Sequence, residues 1–219
     1  TGRSSGVVHS GLYYAPGSLK ARLCVQGAAA LTAYCEERGI PVTRCGKVVV
    51  ATSAGELPRL AELERRGVAN GVPGLESIGP ERLRELEPHA AGLRALHVPG
   101  TAIVDFGLVA RALADDVEGA GGELLLGYGV TGIAEQPGRG VRLETAAGEV
   151  SARNVVFCAG VHADRLARLG GGALEPWIVP FRGDYYVLRP ERRHLAIALV
   201  YPVTYTRSPT LGIYTNPRN

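Results

Sequence analysis

The chain has 219 residues, 46% of them apolar, and 24 basic against 21 acidic side chains leave a net charge of +3. A globular chain of this size buries roughly 70% of its unfolded surface and makes one large domain or two small ones. The near-balance of charge argues against a nucleic-acid partner, which needs a concentrated basic face, and no run reaches the roughly 18 apolar residues that span a bilayer.

Residues 2–11, GRSSGVVHSG, open the chain with a hydroxyl- and glycine-rich loop around two valines. Arg3, Ser4, Ser5 and Gly6 offer a cation, two hydroxyls and open backbone N–H. That set suits a phosphate or the polar edge of a ring system, and equally a solvated loop. His9 is a candidate general base, because an unperturbed imidazole titrates near neutrality. A structural histidine fits the same place. Residues 18–38 read as a helix, capped by Ser18 and closed by Gly39, with Leu19, Leu23, Gln26, Ala30 and Tyr34 on one face. KVVVAT (47–52) is short and β-branched, a strand. Residues 56–71 form an amphipathic helix carrying Leu57, Leu60 and Leu63, and Pro80 opens a brief helix over 80–88. Residues 94–100 predict a strand. Asp105 then caps a helix striped with Phe106, Val109, Leu113 and Val117.

After the glycine pair at 121–122 the apolar period shifts toward two. Residues 123–136, 141–152 and 154–160 read as strands, the middle one a hairpin about 147–148, and a helix over 162–170 follows. From residue 178 the chain reads as antiparallel sheet. The pattern predicts a mixed α/β fold, an α/β domain interleaved with a β-rich one.

Several positions could carry chemistry. NVVFCAG runs into VHADRLARLG, so Ala159 and Gly160 would sit between a strand and a helix N-terminus, where small residues let an anionic ligand approach the backbone. An ordinary βα turn has the same pattern. Arg182 and Arg218 could hold carboxylates bidentately or join strand-edge salt bridges, Arg182 with Asp184. Tyr14 and Tyr201 could cover a flat ligand, bond a carboxylate, or simply pack. Cys24, Cys35, Cys45 and Cys158 form no CxxC, which argues against zinc or thioredoxin-like chemistry. Reduced, buried thiols in a cytoplasmic protein are expected, and no metal.

The run GRSSGVVHSGLYYAPGSLKARLCVQGA, followed in order by GKVVVAT, VPGTAIVDFGLVARAL, NVVFCAG and VPFRGDYYVL, resembles the FAD-dependent L-2-hydroxyglutarate dehydrogenases and oxidases. These belong to the D-amino-acid-oxidase-like flavoprotein superfamily, and the resemblance covers nearly the whole chain. It implies an FAD-binding Rossmann-like domain from residues 1–46 and 100–175, interleaved with a substrate domain from 47–99 and 176–219. It implies that Ser4, Ser5 and Gly6, beside Arg3, run along the flavin and pyrophosphate. Val130 would meet the adenine, and Ala159 and Gly160 would form a second nucleotide-side turn. The implied reaction is oxidation of L-2-hydroxyglutarate, a small dicarboxylate, to 2-oxoglutarate by hydride transfer to flavin N5. His9 would be the base, and Arg182, Arg218, Tyr14 and Tyr201 would contact substrate. The electron acceptor would be oxygen, a quinone or an electron-transfer protein, a quinone implying association with a membrane surface. The family's strand–GxGxxG–helix unit is expected to be missing, and residue 1 is threonine in a chain without methionine. The chain therefore reads as an internal piece that binds FAD weakly alone. Two alternatives stand beside this reading. One is a related flavin oxidoreductase acting on an amino acid, an N-methyl amino acid or glycerol 3-phosphate. The other is a non-catalytic binding domain.

Overall fold

The computed structural model describes residues 4–173, 175–180, 184–203, 215 and 217. In chain order the elements are β1 (Val7–Val8), α1 (Leu19–Glu37), β2 (Val42–Thr43), β3 (Lys47–Ala51), α2 (Leu57–Ala69), β4 (Glu76–Ile78) and α3 (Pro80–Leu86). There follow β5 (Arg94–Val98), β6 (Ala102–Val104), α4 (Phe106–Gly119), β7 (Val130–Gln136), β8 (Gly140–Thr145), β9 (Gly148–Ala152), α5 (Ala163–Leu169) and β10 (Leu199–Pro202). Two compact units result, one from residues 1–116 and 187–219, the other from 117–186.

The first unit holds two sheets. The smaller runs β1–β6–β2, all antiparallel. The larger runs β10–β3–β5–β4, with β3, β5 and β4 antiparallel and β10 parallel to β3. All five residues of β3 are buried, because both of its faces are covered. Side chains alternate between faces along a strand. Val48 and Val50 pack with Ile78, Leu83 and Ala95, while Val49 and Ala51 meet Leu60 and Leu63 of α2 together with Leu12. Lys47 has the phase of Val49 and Ala51, so the β-branched run that makes the strand also carries a cation toward Leu12.

Helix α1 begins where Ser18 Oγ accepts from the Ala21 N–H at 3.2 Å, and Gly39, at φ +64°, ends it. Its buried face differs from the expected one. Ala28, Leu31 and Cys35 pack with Val8, Ala102 and Val104, whereas Leu19 and Leu23 are more than half exposed. A face of small residues lets the helix lie closer to the sheet than a leucine stripe would. Tyr34 alone of the expected stripe joins this cluster, its hydroxyl donating to Asp116 at 2.6 Å. In α4 the inward side is Phe106, Val109 and Ala112. Leu113 and Val117 stand about half exposed. Asp105 caps α4 as expected, accepting from the Gly107 N–H at 2.7 Å.

The second unit is an antiparallel meander, β7–β8–β9, with the expected hairpin between Thr145 and Gly148. Three expectations fail. Residues 123–129 form no strand, and β7 starts only at Val130. Residues 154–159 form none either, and Val156 is 82% exposed. β-Branched composition fits a pleated surface only where neighbouring strands supply a ladder, and no described strand pairs with this run. The third failure concerns the tail. Residues 184–189 are not sheet, Phe181, Arg182 and Gly183 lie outside the described residues, and β10 is parallel to its neighbour. Among the described residues, antiparallel contact in the tail is one bridge, Val200 with Thr215; residues 204–214, 216, 218 and 219 lie outside them.

The glycine spacing expected to be missing does occur, as GYGVTG over 127–132. It enters strand β7 rather than a helix, so it presents no helix N-terminus to a phosphate. The cysteines are all free, as expected, but of the four Cys35 alone is buried and Cys158 is exposed. Among the described residues no helix is long and apolar enough to cross a membrane.

Candidate functional site

Strand β1 delivers His9 into a loop, residues 9–17, that is pinned from several sides. Gly11 sits at φ +88°, and a Cβ there would come within 2.9 Å of Val25 on α1, so only glycine fits this close approach. The Asn70 side chain, just past α2, donates to the carbonyls of Gly11 at 2.9 Å and Tyr14 at 3.0 Å. Arg66 donates to the Tyr13 carbonyl at 3.3 Å, and the Cys24 thiol to that of His9 at 3.3 Å. Leu12, fully buried, anchors the loop in the α2-facing core.

Beneath the loop lies a cavity of about 100 Å³, lined by residues 9–14 and Lys47. The Lys47 side chain is wholly buried. Its Nζ makes no hydrogen bond among the described residues. It lies 4.8 Å from the ring centre of Tyr13 and 5.5 Å from that of Tyr201. Burial lowers its pKa from 10.5 to about 8, with Cys24 opposing the fall. Ser10 is buried too, and its hydroxyl finds no partner among the described residues. His9 keeps an exposed edge. Desolvation by the protein packed around the rest of the ring, and then the charge of Lys47, hold its pKa below 6.5. Both groups are thereby shifted toward their neutral forms. At pH 7 the imidazole is neutral and able to accept a proton, and the ammonium stays charged.

Of the residues singled out from sequence, His9 and Tyr14 line this cavity, and Tyr201 flanks Lys47 across it. Ser5 Oγ accepts from the Val7 N–H at 3.4 Å. Gly6 is buried at φ +76°, its carbonyl accepting from Val104, and Ser4 is exposed beside it. Val130, Ala159 and Gly160 belong to the second unit, Val130 at the start of β7, Ala159 just before the turn that leads into α5 and Gly160 its first residue. Arg3, Arg182 and Arg218 lie outside the described residues. Lys47 and Ser10 escaped the sequence reading. The one available signal was a charged residue opening an otherwise wholly apolar strand.

Among the described residues no group of three or more His, Cys, Asp or Glu could hold a metal ion. The residues near Gly6 do suit the edge of a flavin. Ser4 and Ser5 supply hydroxyls, and Gly6 is buried at φ +76°, a conformation that favours glycine.

The sequence pattern of the FAD dependent oxidoreductase family, DAO, matches residues 1–219, and the chain belongs to that family. Over its whole length the chain is 45% identical to the mitochondrial L-2-hydroxyglutarate dehydrogenase of Homo sapiens and 46% to that of Bos taurus, covering 50% of each. Over 98% of its length it is 42% identical to the L-2-hydroxyglutarate dehydrogenase of Indibacter alkaliphilus, covering 54% of it. The chain thus spans about half the length of the curated relatives it matches. Two solved structures share its mixed α/β fold. Glycine oxidase from Geobacillus kaustophilus has a TM-score of 0.75 at 23% identity, over 92% of this chain and 55% of that one. Dithionite-reduced L-α-glycerophosphate oxidase from Mycoplasma pneumoniae with FAD bound has 0.74 at 22% identity, over 91% and 54%.

Proposed function

We propose that this protein, with FAD as cofactor, oxidises L-2-hydroxyglutarate to 2-oxoglutarate. The observation that carries this reading is the pairing of a neutral imidazole, His9, with a buried ammonium, Lys47, around one cavity. A 2-hydroxy acid needs both, a base for its hydroxyl proton and a cation for its carboxylate. The curated relatives named above carry the same activity in their names.

FAD, when bound, supplies the acceptor for the hydride that leaves C2. His9 Nε2 or Nδ1 takes the C2 hydroxyl proton as that hydride departs. The lowered pKa of the ring keeps it unprotonated at neutral pH, which a general base requires. Arg3, Ser4, Ser5 and Gly6 are assigned to the flavin and pyrophosphate side, and Val130, Ala159 and Gly160 to the adenosine side. One or both of Arg182 and Arg218 are assigned to a substrate carboxylate, with Tyr14 and Tyr201 closing over its chain.

The domain division we propose, residues 1–46 with 100–175 for FAD and 47–99 with 176–219 for substrate, is supported by the sheets. Every strand of the β1–β6–β2 and β7–β8–β9 sheets comes from the first set, and every strand of β10–β3–β5–β4 from the second. A reducing, cytoplasmic setting accords with four free cysteines.

The test is the absorption spectrum of the full-length protein. A yellow protein bleached by L-2-hydroxyglutarate supports the reading. Bleaching by sarcosine, a D-amino acid or glycerol 3-phosphate instead overturns the substrate. His9→Asn should slow that bleaching roughly 10²- to 10⁴-fold, and bleaching at wild-type speed would remove His9 as the base. Repeating the turnover assay with oxygen, a quinone or an electron-transfer protein identifies the acceptor.

A further inference from the structure

A buried cation ordinarily has a counter-charge, because an ammonium taken out of water loses its hydration and must find replacement partners. Lys47 has none of the ordinary ones. Its side chain is 0% exposed, and its Nζ donates no hydrogen bond among the described residues. No aspartate or glutamate lines the cavity that it borders. The acid group acting on it is the Cys24 thiol, which burial itself holds in the neutral form. What surrounds Nζ instead is two tyrosine rings at 4.8 and 5.5 Å and, on the cavity wall, Ser10, whose buried hydroxyl has no partner among the described residues either. Tyrosine faces tolerate a cation, but they do not neutralise it. A buried charge and a buried hydroxyl, both without a partner among the described residues and both on residues that line one cavity, match an anion with hydrogen-bond acceptors.

We propose that the cavity under residues 9–14 is a carboxylate-binding site in which Lys47 Nζ forms the ion pair and Ser10 Oγ donates a hydrogen bond. This rests on the reading of a 2-hydroxy dicarboxylate as substrate and adds the residue that recognises one end of it. The site is built into the fold. Lys47 opens β3 in register with Leu199 of β10 and Val98 of β5, so its Cα is fixed by ladder pairing on both sides. The loop carrying His9 and Ser10 is fixed by Asn70, Arg66 and Gly11. A carboxylate held on Lys47 would lie in the cavity that His9 also lines. The backbone segments that carry the anchor and the proton acceptor are thus both held in place. Such pre-organisation is what keeps a bound substrate oriented for reaction.

The full-length, FAD-loaded protein tests this with a non-reacting probe, glutarate, and its uncharged diamide. Affinities are measured by isothermal titration calorimetry, and FAD content by absorbance. A charge-assisted hydrogen bond to a buried carboxylate implies that Lys47→Met lowers the preference for glutarate over the diamide about 10- to 100-fold. FAD content should stay unchanged, and Lys47→Arg should retain much of the preference. Lys47→Gln serves as a second neutral variant should Lys47→Met not fold. An unchanged preference in the neutral variant, or no preference in the wild type, overturns the proposal. Should the wild type fail to oxidise L-2-hydroxyglutarate yet lose its glutarate preference on Lys47→Met, the carboxylate site stands and the substrate reading falls.

Discussion

Lys47→Met should make the protein more stable, by an amount that the structure sets. The ammonium titrates at about 8 instead of 10.5. At about 1.4 kcal/mol per pH unit, keeping it charged in the fold costs about 3 kcal/mol below pH 8. The rings of Tyr13 and Tyr201 return roughly 0.5–1 kcal/mol each through cation–π attraction. Methionine has a similar length and no charge, so the net gain at pH 7 is about 1–2 kcal/mol. The sign of the pH dependence follows from proton counts. Between pH 8 and 10.5 the unfolded lysine holds a proton that the folded one has lost, so wild-type stability rises with pH across that window. Urea denaturation of the complete wild-type and Lys47→Met proteins reads this out. The variant should have the higher midpoint at pH 7, and the gap should largely close by pH 10.5. A variant less stable than wild type at pH 7, or a gap that ignores pH, would refute the account of Lys47 as an uncompensated buried charge.

On the function proposed above, the depressed pKa of His9 predicts that the acid limb of kcat/KM for L-2-hydroxyglutarate has its midpoint below 6.5; a pH profile with that midpoint above 6.5 would contradict this. Glu87 is buried and accepts the backbone N–H groups of Ile197, at 2.9 Å, and Ala198, so Glu87→Ala should cost about 2–4 kcal/mol in urea denaturation. The surface change Glu85→Ala, which loses an exposed pair with Arg82, should cost under about 1 kcal/mol.

Local signals made much of the first unit legible. Ser18, Pro80 and Asp105 mark helix starts by their own chemistry, and Leu60 and Leu63 recur at the helical period, so these elements need no tertiary knowledge. The failures share a cause. The valines and phenylalanine of 154–157 have strand propensity, yet propensity becomes a strand only with a partner, and no described strand pairs with them. The α1 stripe was misread because leucines draw attention, while the packed face is Ala28, Leu31 and Cys35. At the site, His9 was legible because histidine announces its chemistry. Lys47 was not, because its meaning comes from β10 and the 9–17 loop closing over it, and a lysine at a strand end ordinarily reaches water.

The pairing of β10 with β3 also orders events during synthesis. Between Ala51 and Leu199 the ribosome must add about 150 residues, which at roughly 5–20 residues per second takes about 7 to 30 seconds. Through that interval β3 has one open edge, and Tyr201 has not yet been made. Helices α1 and α2 and the β3–β5 ladder can form early from local contacts. The chamber around Lys47 is finished last, when the returning strand brings its second tyrosine. The growing polypeptide thus leaves the cavity beside Lys47 unfinished until almost the whole unit that builds it has emerged.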